Sequence, residues 1–134
     1  MKPTLIDTDI LSEFLRGTAK VVENFEAYLK AFDAINFSII SYYEILNGLL
    51  YKDAKKQLDK FIAFAKYNKI LPLTISATRR AAEISAKLKT LGQPIGHTDC
   101  LIAGIALTNG LQLATNNVDH FKRIEGLMIV NWLQ

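Results

Sequence analysis

The chain has 134 residues, 50% hydrophobic and 22% charged, the balance of one globular domain that needs no metal or disulfide staple to hold its core. This excludes disordered, collagen-like and coiled-coil chains, and no apolar run reaches the ~18 residues of a membrane span. Sixteen Lys and Arg against 13 Asp and Glu give a net charge of +3, which suits an anionic partner such as nucleic acid without demanding one. The start Met1–Asp7 shows no secretory segment, and the single cysteine, Cys100, can form no internal disulfide, so a reducing cytoplasm is the expected compartment.

Pro3 to Asp7 reads as a first strand ending in an acid. Ile10, Leu11, Phe14 and Leu15 share one helical face, and Gly17 stops that helix. Val21, Val22, Phe25, Tyr28, Leu29 and Phe32 continue at helical spacing. Ile35 to Ile40 is a second strand ending at Ser41, followed by a helix from Tyr42 carrying Ile45, Leu46 and Leu49. Leu58, Phe61, Ile62 and Ala65 mark another amphipathic helix, with Lys52, Lys55, Lys56, Lys60, Lys66 and Lys69 as its solvated flank. Ile70 to Thr74 reads as a short third strand that Pro72 makes an edge candidate, or as an extended segment only. Ser76 is the expected cap of a helix closed by Gly92, and Thr98 of the next, whose residues Leu101 to Leu107 are apolar nearly all round and so central. Leu111 to Thr115 and Leu127 to Asn131 are the last strands, with a helical turn around His120 to Ile124 between them. This alternation predicts an α/β domain over 1–134, a central parallel sheet flanked by helices.

In such sheets ligands gather at the carboxyl ends of the strands. Asp7 ends strand one, Glu44 lies in the first turn after strand two, Asp99 opens the apolar helix, and Asn116, Asn117 and Asp119 follow strand four. Each has an ordinary explanation. Asp7 suits a turn, Ser41-Tyr42-Tyr43-Glu44 has the spacing of a capping box, Asp99 suits a positive helix end, and Asp119 suits the start of a turn. Their joint placement carries more weight. Clustered carboxylates repel and resist desolvation unless a cation joins them, and Mg²⁺ or Mn²⁺ prefers oxygen ligands. No glycine-rich phosphate loop is present, His97 and His120 lack metal-ligand spacing, and Ser12 and Ser38 have no histidine set by the sequence to activate them.

The segments LIDTDIL (5–11), SIISYYEILNGL (38–49), GQPIGHTDCLIAGIAL (92–107) and LATNNVDHFKRI (113–124) resemble PIN domains, specifically the VapC-like toxins of type II toxin–antitoxin pairs. The resemblance spans essentially the whole chain. It implies a single PIN-like domain and a Mg²⁺-dependent endoribonuclease in which Mn²⁺ can substitute. Asp7 and Asp99 would be the principal metal ligands, Glu44 would hold water or a second ion, and Thr8 would sit beside the metal. A fourth acid often follows the strand-four threonine by two residues. Here that place is Asn117, and Asp119 is the available substitute, so one ion is favoured over two. Water oriented by Glu44 or Asp119 would attack the RNA phosphorus, and Arg16, Lys52 or Lys55 could steer the RNA backbone. The resemblance also implies a homodimer and a cognate antitoxin whose tail crosses the acid-lined groove. For the dimer, the sequence offers the apolar helices Val21–Phe32 and Leu58–Ala65 as sources of an exposed patch. The alternative is a non-catalytic PIN-like RNA-binding module. A phosphate-transfer signalling domain ranks last, because strands three and four end at Thr74 and Thr115 rather than at a phosphoacceptor Asp or a Lys.

Overall fold

The computed structural model describes residues 1–134. Five short strands, β1 (Thr4–Ile6), β2 (Asn36–Ser38), β3 (Lys69–Leu71), β4 (Gln112–Ala114) and β5 (Ile129–Val130), form one sheet in the order β3-β2-β1-β4-β5. Every neighbouring pair is parallel, so all five carboxyl ends lie along one edge. The helices are α1 (Thr8–Leu15), α2 (Ala19–Ala31), α3 (Ile39–Tyr51), α4 (Lys55–Lys66), α5 (Ile75–Thr90), α6 (His97–Thr108) and α7 (Val118–Phe121). No helix is long and apolar enough to cross a membrane.

Pleating divides the core. Leu5 pairs with Leu113 and Ile6 with Ala114, and successive residues point to opposite faces. Leu5 and Leu113 join a layer with Ala81, Leu88, Ile102 and Ile105 of α5 and α6. Ile6 and Ala114 join the other, with Ile10, Phe25, Tyr28, Phe61 and Trp132. Since β1 is central and buried on both faces, its alternation is apolar on both sides. As its all-round apolar surface requires, α6 is a core helix, and it lies so close to α5 that a Cβ at Gly104 would overlap the Ala77 carbonyl oxygen. The edge position expected for β3 is the observed one.

Three caps differ from the sequence reading, each for the same reason: an earlier oxygen or backbone turn is available. The strand leading to α3 ends at Ser38, not Ser41, because the Ser38 hydroxyl accepts from Ser41 N at 3.0 Å and starts the helix three residues sooner. Thr74 rather than Ser76 caps α5, accepting from Ala77 N at 3.0 Å. Gly96 rather than Thr98 is the cap residue of α6, which moves Asp99 into the third helical position. At the other end of α1, Gly17 adopts φ +80°, as the stop residue should.

Most of the apolar face of each helix offered for an exposed patch turns inward. Val21, Phe25 and Tyr28 of α2 and Phe61 and Ala65 of α4 are buried in the core. Leu29 of α2 and Ile62 of α4 stay exposed, and other exposed apolar side chains include Ile39, Tyr43 and Leu50 on α3 and Ile75 at the start of α5.

Candidate active site

The order β2-β1-β4 puts Asp7, at the end of β1, beside Thr115, at the end of β4. Asp7 is the cap residue of α1, and Thr8 N donates to its Oδ1 at 2.8 Å. Its Oδ2 accepts from the Thr115 hydroxyl at 2.7 Å. The side chain is 5% exposed. Burial raises its pKa from 3.8 to about 7, helped by the charges of Asp9 and Asp99 and opposed by the two hydrogen bonds. A carboxyl so placed in the metal-free chain sits where a cation would restore its charge.

Asp9 was not singled out by sequence reasoning, although it is the second acid of the Asp7-Thr8-Asp9 triplet. It accepts from Ile10 N at 2.7 Å through Oδ1 and from Asn116 N at 3.0 Å through Oδ2. It thereby ties the loop after β4 to α1. Burial also raises its pKa, against the pull of those backbone donors. Its signal in the sequence was its position, two residues past a strand end.

Glu44 reaches the site from the second turn of α3. Because α3 begins at Ile39, the capping box proposed for Ser41 and Glu44 does not form. The Thr8 hydroxyl donates instead to Glu44 Oε1 at 2.7 Å and lies 2.7 Å from the Ser41 hydroxyl oxygen. Asp99 approaches from the first turn of α6. Its Oδ2 lies 3.0 Å from His120 Nδ1 and 3.4 Å from the Asn117 amide nitrogen. Asn117 and His120 are themselves 2.9 Å apart. The spacing of His120 along the chain does not point to the site; folding brings it to Asp99.

Asp119 lies away from the other acids. It is the one expected site acid that the fold turns outward, 81% exposed and 3.1 Å from Lys122 Nζ. That lysine holds its carboxyl below the usual carboxylate range. In the one-turn helix α7, His120 faces the acids and its neighbour Asp119 therefore faces water.

No group of three or more His, Cys, Asp or Glu side chains forms a ready-made metal cage. Mg²⁺ does not need one, since it keeps several waters and commonly takes one or two carboxylates from the protein. Asp7 and Asp99, with Glu44 beside them, therefore fit a hard divalent ion. From this edge a groove of about 510 Å³ runs between α1 and α3, sharing Thr8 and Glu44 with the acid site and bordered by Arg16, Lys52 and Lys60.

Residues 4–127 match the PIN domain family. Ribonuclease VapC1 of Rickettsia felis is 34% identical over 130 residues, spanning 94% of this chain and 93% of that protein. Plasmid stability protein StbB of Pseudomonas syringae is 30% identical over 136 residues, 95% of this chain and 96% of its own. The fold also superposes on the DNA-bound VapBC structure of Salmonella typhimurium with a TM-score of 0.89 at 27% identity, covering 98% of this chain and 99% of that one. With its parallel sheet and its acids at the carboxyl edge, this chain belongs to the PIN domain family.

Proposed function

We propose that this chain is a metal-dependent endoribonuclease toxin, silenced by a cognate antitoxin. The observation that carries the reading is the burial of Asp7 among Asp9 and Asp99, an arrangement of like charges that costs stability unless a cation shares the site. The family resemblance and relatives named ribonuclease VapC support RNA as that substrate. Asp7 and Asp99 would hold one Mg²⁺, or Mn²⁺ in its place, with Glu44 close by. Such an ion offsets charge on the scissile phosphate and lowers the pKa of water.

The chain's own groups do the rest. Thr115 and Thr8 N fix the Asp7 carboxylate by its two oxygens. The Thr8 hydroxyl holds Glu44 by Oε1, leaving Oε2 to orient the attacking water and take its proton. His120 and Asn117 steady Asp99. Asp119 has no part in this scheme.

An antitoxin would silence the site by laying a basic side chain across the acid edge. A homodimer would cover the exposed Ile39, Tyr43 and Leu50 on α3. Cys100 is buried as a free thiol, consistent with a reducing cytoplasm.

Incubating the purified chain with total cellular RNA, with and without EDTA, tests the reading. Discrete cuts that EDTA suppresses are expected. RNA binding without cleavage in Mg²⁺ or Mn²⁺ would instead favour the non-catalytic module, which the neutral Asn117 at the fourth acid position keeps in view.

A further inference from the structure

The segment after β5 touches both the core and the loop that follows β4. Trp132 is buried, its ring 5.5 Å from that of Phe25 and 5.7 Å from that of Tyr28, and its carbonyl oxygen accepts from the Asn24 amide at 3.0 Å. The segment is thereby seated on α2. Beside this anchor, Asn131 Oδ1 accepts from Leu133 N at 2.9 Å, which leaves Asn131 Nδ2 to donate to Asn116 Oδ1 at 2.9 Å. The backbone donor at Leu133 therefore fixes which way the Asn131 amide faces, and Asn131 in turn fixes Asn116.

Asn116 is exposed, so packing does not hold it. Hydrogen bonds do. Its backbone N donates to Asp9 at 3.0 Å, between Thr115, whose hydroxyl donates to Asp7, and Asn117, whose N donates to Thr115 Oγ1 at 3.0 Å. Next comes α7, a single turn of four residues, too short to hold a direction of its own. Yet Asn117 and His120 of this stretch are the groups that meet Asp99 Oδ2. Whatever fixes Asn116 fixes their approach. From this we infer that Asn131 is a positioning residue for the acid site, acting through Asn116 Oδ1 on the segment that presents Asn117 and His120 to Asp99. Asn131 itself bonds to none of the acids. The inference rests on the nuclease reading only for its effect on cleavage.

Three substitutions test it. Asn116→Ala removes the acceptor while leaving its own backbone N on Asp9 and the bond from Leu133 N to Asn131 in place. Asn131→Ala removes the donor. Asn131→Asp keeps an acceptor for Leu133 N, and the Asn116 amide, whose Nδ2 has no other partner in the chain, can turn over and donate to the carboxylate. Amide hydrogen exchange of Asn116 and Asn117 in EDTA reads the loop without any cleavage. Cleavage of RNA at saturating Mg²⁺ gives kcat and KM. Loss of one neutral hydrogen bond corresponds to roughly two- to tenfold. Asn116→Ala and Asn131→Ala should each speed exchange and lower kcat by that factor, with KM and the melting temperature near wild type. The double variant should be no worse than either single one, since both remove the same bond. Asn131→Asp should return exchange and kcat to within about twofold of wild type.

Wild-type exchange and kcat in Asn116→Ala overturn the inference and leave Asn131 only a cap for Leu133 N. Additive damage in the double variant also overturns it, because the two residues would then act separately. So does an Asn131→Asp chain as impaired as Asn131→Ala. Asn116→Ala leaves the Trp132 anchor untouched, so the comparison holds even where Asn131→Ala loosens the segment. A wild-type chain that cuts no RNA in Mg²⁺ or Mn²⁺ while the exchange pattern holds would remove the nuclease reading and leave the coupling of Asn131 to the loop standing.

Discussion

The Thr8 hydroxyl donates to Glu44 Oε1 at 2.7 Å, joining the first residue of α1 to the second turn of α3 directly beneath the acid edge. This bond fixes where the glutamate points, which its own helix does not. Thr8→Val removes the donor but keeps the shape. Hydrogen bonds to charged groups contribute about 1.5–3 kcal/mol, so a loss of roughly 10- to 100-fold in kcat is expected if Glu44 orients water. Thr8→Ser should recover most of it. Equal damage from both substitutions would place the role of Thr8 elsewhere.

Asp7 makes the metal-free chain less stable in alkali than in acid. Its pKa is about 7 when folded against 3.8 as the ordinary value, so between these the folded chain keeps a proton that the unfolded chain has released. Stability is full below the lower value, falls as pH rises through the window, and levels off above about 7. At about 1.36 kcal/mol per pKa unit, the loss amounts to up to ~4 kcal/mol. Urea unfolding in EDTA should show this decline between about pH 4 and pH 7. Asp7→Asn should flatten it and be the more stable protein at pH 8, while abolishing cleavage. Adding Mg²⁺ at pH 8 should raise the melting temperature of wild type and leave that of Asp7→Asn nearly unchanged. A flat wild-type profile would contradict the burial of an uncompensated acid.

Much of this was legible in the sequence because it depends on local pattern. Leu5 and Ile6, or Ile102 and Ile105, declare a strand and a core helix by composition, and parallel strands then require Asp7, Glu44, Asp99 and Asn117 to share an edge. Cap choice was less legible: Ser38 and Ser41 both have the right side chain, and the earlier one captures the helix. That choice decides whether Glu44 caps its own helix or serves the site. Least legible were the contacts across the edge. Asp9 to Asn116 and Asp99 to His120 join distant segments, and the outward turn of Asp119 depends on which face of α7 packs inward. No periodicity covers a helix of four residues.

The seat of Asp99 depends on the approach of α5 to α6. A Cβ at Gly104 would overlap the Ala77 carbonyl oxygen and come within 3.1 Å of Ala81 Cβ and Ala81 N. Two of those atoms belong to the backbone and cannot swing aside, so the helices must separate. Overpacking of this kind costs about 1–3 kcal/mol. Gly104→Ala should therefore lower the urea midpoint, despite alanine's higher helix propensity. It should also reduce cleavage at temperatures where the chain is still folded, since α6 carries Asp99. A variant as stable as wild type would show that the two helices can part at little cost.

The fourth position separates three neighbours on one short segment. Asn117 presents its amide 3.4 Å from Asp99 Oδ2, His120 touches the same oxygen at 3.0 Å, and Asp119 faces water beside Lys122. His120 Nδ1 cannot accept from the Asn117 amide and donate to Asp99 at once, so one of these two contacts gives way, or the Asn117 amide is reversed and its oxygen faces the histidine. In either arrangement the segment adds no negative charge next to Asp99. Asn117→Asp would add one, at a distance where two carboxylates repel strongly without a cation. It should lower stability in EDTA and raise affinity for Mg²⁺, reducing the concentration needed for half-maximal cleavage, because added charge offsets the cost of stripping water from the ion. Asp119→Asn should change cleavage by less than about twofold, as for a solvent-exposed surface pair. His120→Ala should lower kcat more than it alters Mg²⁺ affinity, since it frees Asp99 without removing a ligand. Metal titration by calorimetry, read beside cleavage rates, distinguishes these outcomes. If Asp119→Asn proves as damaging as Asp99→Asn, the acid must swing inward when RNA or metal binds, and the single-ion arrangement of Asp7 and Asp99 is wrong.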